Sequence, residues 1–280
     1  MSTITISVDN ACDLSPGLLK RYNLQTVHFG VVIGDKLLSD KTVKPDDIYS
    51  AVEEKGLFPK TNAAIEADYR ELFEKATQNG GSVIHFNISD KMSVSHQNAL
   101  RASIGLERVF VIDTHSACAG IGILAIKASE MVKEGKTTEE IVEVVSKMIP
   151  KLNVGFIIKD LSYLYRGGRA SDLKLIGANI LKIRPSLQIN QEGKIVSCKK
   201  YKGAFPRAVL EWVEDKITQT LGANKEIAFV AHTDVPAELP QAVIKALKEA
   251  GFNTVEQIVV GTTITVHVGR NALGIMFLNE

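Results

Sequence analysis

Hydrophobic and polar positions along this chain follow two rhythms. Short β-rich runs at residues 4–8, 27–33, 83–86 and 109–112 are separated by stretches with helical spacing. The run at 36–38 follows 27–33 across Gly34-Asp35, which predicts a hairpin. Ser15 before Pro16 predicts an N-cap and a helix to about Tyr22, and Pro45 opens another to about Lys55. Ile65, Tyr69, Leu72, Phe73 and Ala76 share one helical face, and residues 95–104 form a further helix. Two more apolar faces follow, one of Ile121, Leu124, Ala125, Ala128 and Val132, the other of Ile141, Val144, Val145 and Met148. Strands alternating with helices predict a mostly parallel sheet covered on both sides, a three-layer α/β domain.

The rhythm changes at Pro150. Residues 183–189 and 195–200 flank Gln191-Glu192-Gly193, an antiparallel hairpin signal. A long helix with Val209, Leu210, Val213 and Ile217 inward comes next, and the runs at 227–231, 243–247, 255–259 and 264–267 continue an α+β pattern. The expected organisation is an N-terminal α/β domain over residues 1–150 and a C-terminal mixed-sheet α+β domain over 151–280. A cleft between two such domains is the expected ligand site.

Composition narrows the function. The 280 residues are 45% hydrophobic and 23% charged, with a net charge of +1, so no global field points to nucleic acid or an anionic membrane. No apolar run reaches the roughly 18 residues of a membrane span. The first nine residues read as a strand rather than a signal peptide, and Cys12, Cys118 and Cys198 lack metal-ligand spacing. The expectation is a cytoplasmic protein with reduced thiols, no metal and no cofactor.

Candidate chemistry gathers where strands end. Residues 161–171 run from an apolar, aromatic helical turn into Gly167, Gly168 and Arg169. Two readings stay open: a helix C-cap with a surface arginine, or a glycine turn whose N–H groups converge on an anion beside an arginine fork. Asp9 to Asp13 follows the first strand and reads as capping residues. Thr61 and Asn62 precede a helix, and Ser93 and Ser95 stand at a helix start, where free N–H groups favour an oxygen ligand. Asp113 to Ser116 makes another strand-to-helix turn. His267 ends a β-rich run and is followed by glycine.

In order, these clusters resemble the DegV family of bacterial fatty-acid-binding proteins over essentially the whole chain. The strongest element is Leu161–Ser171, similar to the family's Leu-x-x-Leu-x-x-Gly-Gly-Arg-Ile-Ser. Ile183-Arg184-Pro185-Ser186-Leu187 and the 191–195 hairpin are similar to the segments that follow it. The resemblance implies two α/β domains with a long-chain fatty acid in a buried tunnel near their interface. It also implies that the acid is presented to a separate ATP-dependent kinase, which makes an acyl-phosphate for phospholipid synthesis. The protein would be a binding subunit rather than an enzyme, with at most transient membrane contact. By motif, Thr61, Asn62, Ser93 and His267 would hold the carboxyl group. Gly167, Gly168, Arg169 and Arg270 would form a rim for phosphate or a partner, extended by Lys174, Lys182, Arg184, Lys199, Lys200 and Lys202. The chain departs from the family at Ala63-Ala64, Val94 and Arg270, which affects the ligand class. Two alternatives are a carrier of another amphiphilic lipid and a serine hydrolase using Ser93 or Ser116 with His267, although no Gly-x-Ser-x-Gly elbow is present.

Overall fold

The computed structural model describes residues 3–169, 183–218 and 222–280. Four parallel strands, β1 (Ile4–Asp9), β2 (Leu24–Val27), β6 (Ser82–Asn87) and β7 (Val109–Asp113), form one sheet in the order β2-β1-β6-β7. Helices α3 (Glu66–Thr77) and α4 (Ser95–Ser103) pack together as one flanking layer, and α5 (Ala119–Lys133) and α6 (Thr138–Met148) as another. Every residue of β6 is buried, as a central strand covered on both faces requires. The run at 27–33 is not one strand. It breaks at His28-Phe29, and β3 (Gly30–Ile33) leaves to form a small antiparallel sheet with β4 (Lys36–Ser39) and β5 (Lys60–Asn62), in the order β4-β3-β5.

From β8 (Leu152–Ile158) onward the strands belong to a six-stranded mixed sheet. It comprises β8, β9 (Ile183–Ile189), β10 (Ile195–Lys202), β11 (Ala223–His232), β12 (Thr254–Val259) and β13 (Ala272–Asn279), in the order β10-β9-β8-β13-β11-β12. Helices α8 (Phe205–Thr218) and α9 (Glu238–Glu249) cover one face, where Trp212, Phe252 and Phe277 form a core. The opposite face meets the N-terminal domain. Val154, Ala231 and Met276 join the same apolar core as Phe86 and Leu124. Helix α5 is therefore buried around nearly its whole circumference, since it contacts β1 and β6 on one side and β8 and β13 on the other.

The run at 264–267 reads as a strand but folds as helix α10 (Thr262–Val268). Its β-branched residues disfavour a helix, and tertiary bonds override that preference. Gly261 N–H donates to Asp13 Oδ1 (2.9 Å), Thr262 Oγ1 to the Val43 carbonyl (2.6 Å) and Thr263 Oγ1 to Asp40 Oδ2 (2.9 Å). A C-terminal helix is thereby tied to the N-terminal domain.

Candidate functional site

A cavity of about 510 Å³ lies between the inner face of the six-stranded sheet and the N-terminal domain. Its volume is within the usual range for small-molecule sites. Val154, Phe156, Ile189, Ala231 and Met276 line the sheet side, and Phe29, Ile88, Met92 and Cys118 face them. Cross-strand pairing explains the sheet side: Gly274 sits opposite both Phe156 and Ala231, and Met276 opposite Val154, so these residues share one face. The wall becomes polar where Thr61, Asn62, Ser93, Arg169 and His267 line it.

Thr61 and His267 are 206 residues apart in sequence and bonded in space, Oγ1 to Nε2 at 3.0 Å. Thr61 is on β5, opposite Val31 of β3, and His267 is in the last turn of α10. Burial, and next the Arg169 cation, push the His267 imidazole down to about 3. The ring is therefore neutral at pH 7. Its Nδ1 is buried and has no hydrogen-bond partner among the described residues.

Ser93 sits in the loop between β6 and α4. Its Oγ accepts from the Ser95 amide (3.2 Å) and lies 2.6 Å from the Ser95 hydroxyl. Arg169 fixes this loop from the other domain, because Nε and Nη2 both donate to the Met92 carbonyl, at 3.0 and 2.9 Å. Its Nη1 donates to Gly167 O at 2.6 Å. Three of its five N–H groups are thus engaged, and the guanidinium keeps its charge inside the cavity wall. Val94, just after Ser93, is 57% exposed, and Asn62 is exposed as well, so this polar end lies at the cavity's mouth.

The two glycines do different work. Helix α7 (Ser162–Arg166) ends at Gly167, and the amides of Gly167, Gly168 and Arg169 donate to the carbonyls of Tyr163, Tyr165 and Leu164. These N–H groups are consumed by a helix C-cap, so they do not converge on an anion. Gly168 supplies the left-handed turn, with φ +70°, and no atom of the described residues occupies the space its side chain would take. Gly167 has an ordinary φ of −74°. There a methyl group would collide with His267 Nδ1 and lie 3.0 Å from Cε1, so glycine is needed for space.

Arg270 stands apart from the cavity wall. It pairs with Glu53 (2.8 Å) and Asp234 and stacks 4.0 Å from the Tyr49 ring centroid. Lys199 pairs with Asp215, and Arg184 donates to the carbonyls of Lys159 and Ile183. Ala170, Ser171, Lys174 and Lys182 lie outside the described residues.

Some structural roles were not legible in sequence. Asp9 is fully buried and holds the end of β6, accepting from Tyr69 Oη (2.7 Å), Asn87 Nδ2 (3.2 Å) and the Ile88 amide (2.8 Å). Ser7, His85 and Asp9 are bonded in series like a catalytic triad, Ser7 Oγ to His85 Nδ1 at 2.9 Å and His85 Nε2 to Asp9 Oδ1 at 3.3 Å. All three are sealed in the interior at 0% exposure, so no substrate reaches them. Ser116 is also buried, with its Oγ turned to the Ala117 carbonyl, and His267 is bonded to Thr61. The short polar run from Asp9 to Asp13 was the available signal, but an N-cap and a buried network look alike in one dimension.

A family model described as an uncharacterised protein of the DegV family matches residues 3–280. The chain is 30% identical over 282 residues to a DegV domain-containing protein of Caldanaerobacter subterraneus subsp. tengcongensis, covering 99% of each. It is 28% identical over 289 residues to one of Clostridium acetobutylicum, covering 100% of both. Among solved structures, it resembles a DegV lipid binding protein from Thermotoga maritima with 25% identity and a TM-score of 0.86, covering 99% of this chain and 98% of that one. It also resembles a fatty-acid-binding DegV family protein from Thermus thermophilus, with 23% identity and a TM-score of 0.90 over 99% and 100% of the two chains. A stearic acid-binding protein from Eubacterium ventriosum gives 21% identity and a TM-score of 0.87 over 99% and 98%. These structures share the two-domain fold, and the sequence matches fix the lineage: the chain belongs to the DegV family.

Proposed function

We propose that this chain binds a long-chain fatty acid, with the tail in the interdomain cavity and the carboxyl group at Thr61 and Ser93, where His267 backs Thr61. The carrying observation is an apolar interdomain cavity whose mouth holds a neutral hydroxyl–imidazole pair. Each buried methylene contributes about 0.8 kcal/mol, so about 14 of them supply on the order of 11 kcal/mol before ordering costs. A desolvated carboxylate needs hydrogen-bond donors. Hydroxyls supply them, and the Arg169 charge nearby opposes the burial penalty without a bidentate clamp. The binding of fatty acid by structural relatives with the same fold supports this reading.

The same geometry suits presentation of the acid to a separate ATP-dependent kinase that forms an acyl-phosphate. The polar end stands at the mouth beside exposed Asn62 and Val94, where an incoming phosphoryl group has access. Because Arg169 anchors the Ser93 loop, its replacement by alanine should weaken acid binding as well as transfer.

The decisive experiment is solvent extraction of the purified protein followed by mass spectrometry, together with binding of added palmitate and oleate. A carried acyl chain supports the reading, a different amphiphile identifies the alternative, and failure to carry or bind any fatty acid refutes the proposal. Ser93→Ala and His267→Ala should each weaken binding by about 10-fold or more, the usual worth of a hydrogen bond to a charged group. For the kinase step, hydroxylamine trapping of acyl-phosphate in the presence of ATP and a fatty acid kinase is the readout; no trapped product from loaded protein would exclude it.

A further inference from the structure

The Thr61–His267 bond can run in either direction, and its direction decides what the cavity offers a ligand. If the imidazole carries its proton on Nδ1, the Thr61 hydroxyl must donate to Nε2, and its only proton is lost to the ligand. If the proton is on Nε2, the ring donates to Thr61 Oγ1, and the threonine proton is free for the cavity.

The surroundings of Nδ1 discriminate between these states. Nδ1 is buried beside Gly167 with no acceptor among the described residues, so a proton there would be an orphaned N–H. The atom itself is buried from solvent. The guanidinium of Arg169, bonded to Gly167 O, brings a positive charge to this same side and favours a bare lone pair over a second N–H dipole. Nε2, by contrast, has Thr61 Oγ1 at 3.0 Å. We infer that His267 is held as the Nε2–H tautomer, with Gly167 and Arg169 as the positioning residues, so that Thr61 is a hydrogen-bond donor to an acceptor head group. Ser93 Oγ also accepts from the Ser95 amide, while its 2.6 Å contact with the Ser95 hydroxyl can run in either direction, so the fixed donor is Thr61. The class of head group is therefore one rich in acceptors, such as a carboxylate, and a long-chain amine is disfavoured.

The inference about the ligand rests on the fatty-acid reading, whereas the tautomer does not. The test is long-range 1H–15N correlation of the histidine ring in the ligand-free full chain between pH 5 and 9. His267→Gln assigns the signals. A protonated Nε2 and a bare Nδ1 throughout is expected, and a protonated Nδ1, alone or in mixture, overturns the inference. Gly167→Ala should displace the ring, introduce the second tautomer and weaken palmitate binding by about 10-fold. Gly168→Ala, where no atom is in the way, should lower the melting temperature yet leave the His267 spectrum unchanged. If Gly167→Ala does not fold, the wild-type spectrum alone still decides the tautomer. An Nε2–H ring in a protein that binds no fatty acid refutes the function and leaves the tautomer standing.

Discussion

Two buried titratable residues pull stability in opposite directions with pH. Burial pushes the Asp13 carboxyl up to about 7, and the Gly261 amide offsets only part of that push. Between about pH 4 and 7 the unfolded chain has released this proton and the folded chain keeps it, so stability falls as pH rises. His267, lowered to about 3, acts oppositely: below its ordinary value of 6.5 the unfolded chain takes up a proton that the folded chain refuses, so stability falls as pH drops. Asn is well suited to position 13, whose φ is 54°. Asp13→Asn should therefore gain stability relative to wild type as pH rises from 4 to 8, by up to a few kcal/mol. His267→Gln should be less sensitive to acid between pH 6 and 4. Urea melts across this range provide the check, and curves parallel to wild type would rule out both assignments. The sequence marked His267, Thr61 and Ser93 as separate polar points. It could not mark the unpartnered Nδ1, because an absent partner leaves no residue to read.

At the level of elements, α10 and the β9–β10 hairpin both join the two domains. The hairpin was legible, since β-rich runs around Gln191-Glu192-Gly193 admit little else. Its docking was not. Gly193 has φ +80°, and a methyl there would collide with Ser89 Oγ and lie 3.1 Å from the His115 Cα. Ser89 Oγ donates to Gly193 O (2.9 Å), and His115 Nδ1 lies 2.9 Å from Gln191 O. The glycine thus serves both the turn and a domain contact, beside Ile189 and Ile195, which line the cavity. Gly193→Val should destabilise the fold by about 1–3 kcal/mol through backbone strain alone. It should also speed release of a bound acid in stopped-flow exchange. An unchanged melting temperature would show that the joint yields without strain. Helix α10 shows the opposite limit of local reading, because a run of Thr, Ile and Val resembles a strand until Asp13, Val43 and Asp40 supply the bonds that hold it as a helix.

Over the whole molecule, one core joins the four-stranded and six-stranded sheets, and the cavity is its gap. Ala272 packs with Leu164 and Val268 near the polar end, whereas Met276 belongs to the shared interior core. A strand rises about 3.3 Å per residue, so β13 carries the cavity roughly 13 Å inward from Ala272 to Met276. Gly274 lies midway on that face, and a side chain there would enter space bordered by Met276 Cε at 2.8 Å and Phe156 Cβ at 3.4 Å. On the proposed reading, affinity climbs about fourfold per methylene until the tail reaches Met276, the equivalent of about 0.8 kcal/mol each. Acid at 100 times its Kd stabilises the folded chain by about 2.7 kcal/mol. That is about 5–10 °C in melting temperature for a chain of this size. Gly274→Val should cancel about half of this shift or more for acids long enough to pass position 274, through a loss of roughly 10–200-fold in affinity. Acids short enough to stop before it should be unaffected. Melting curves with a series of saturated acids from eight to eighteen carbons distinguish the outcomes. A loss equal at every length means general damage rather than a blocked tail path, and no loss at any length means that the tail does not run along β13.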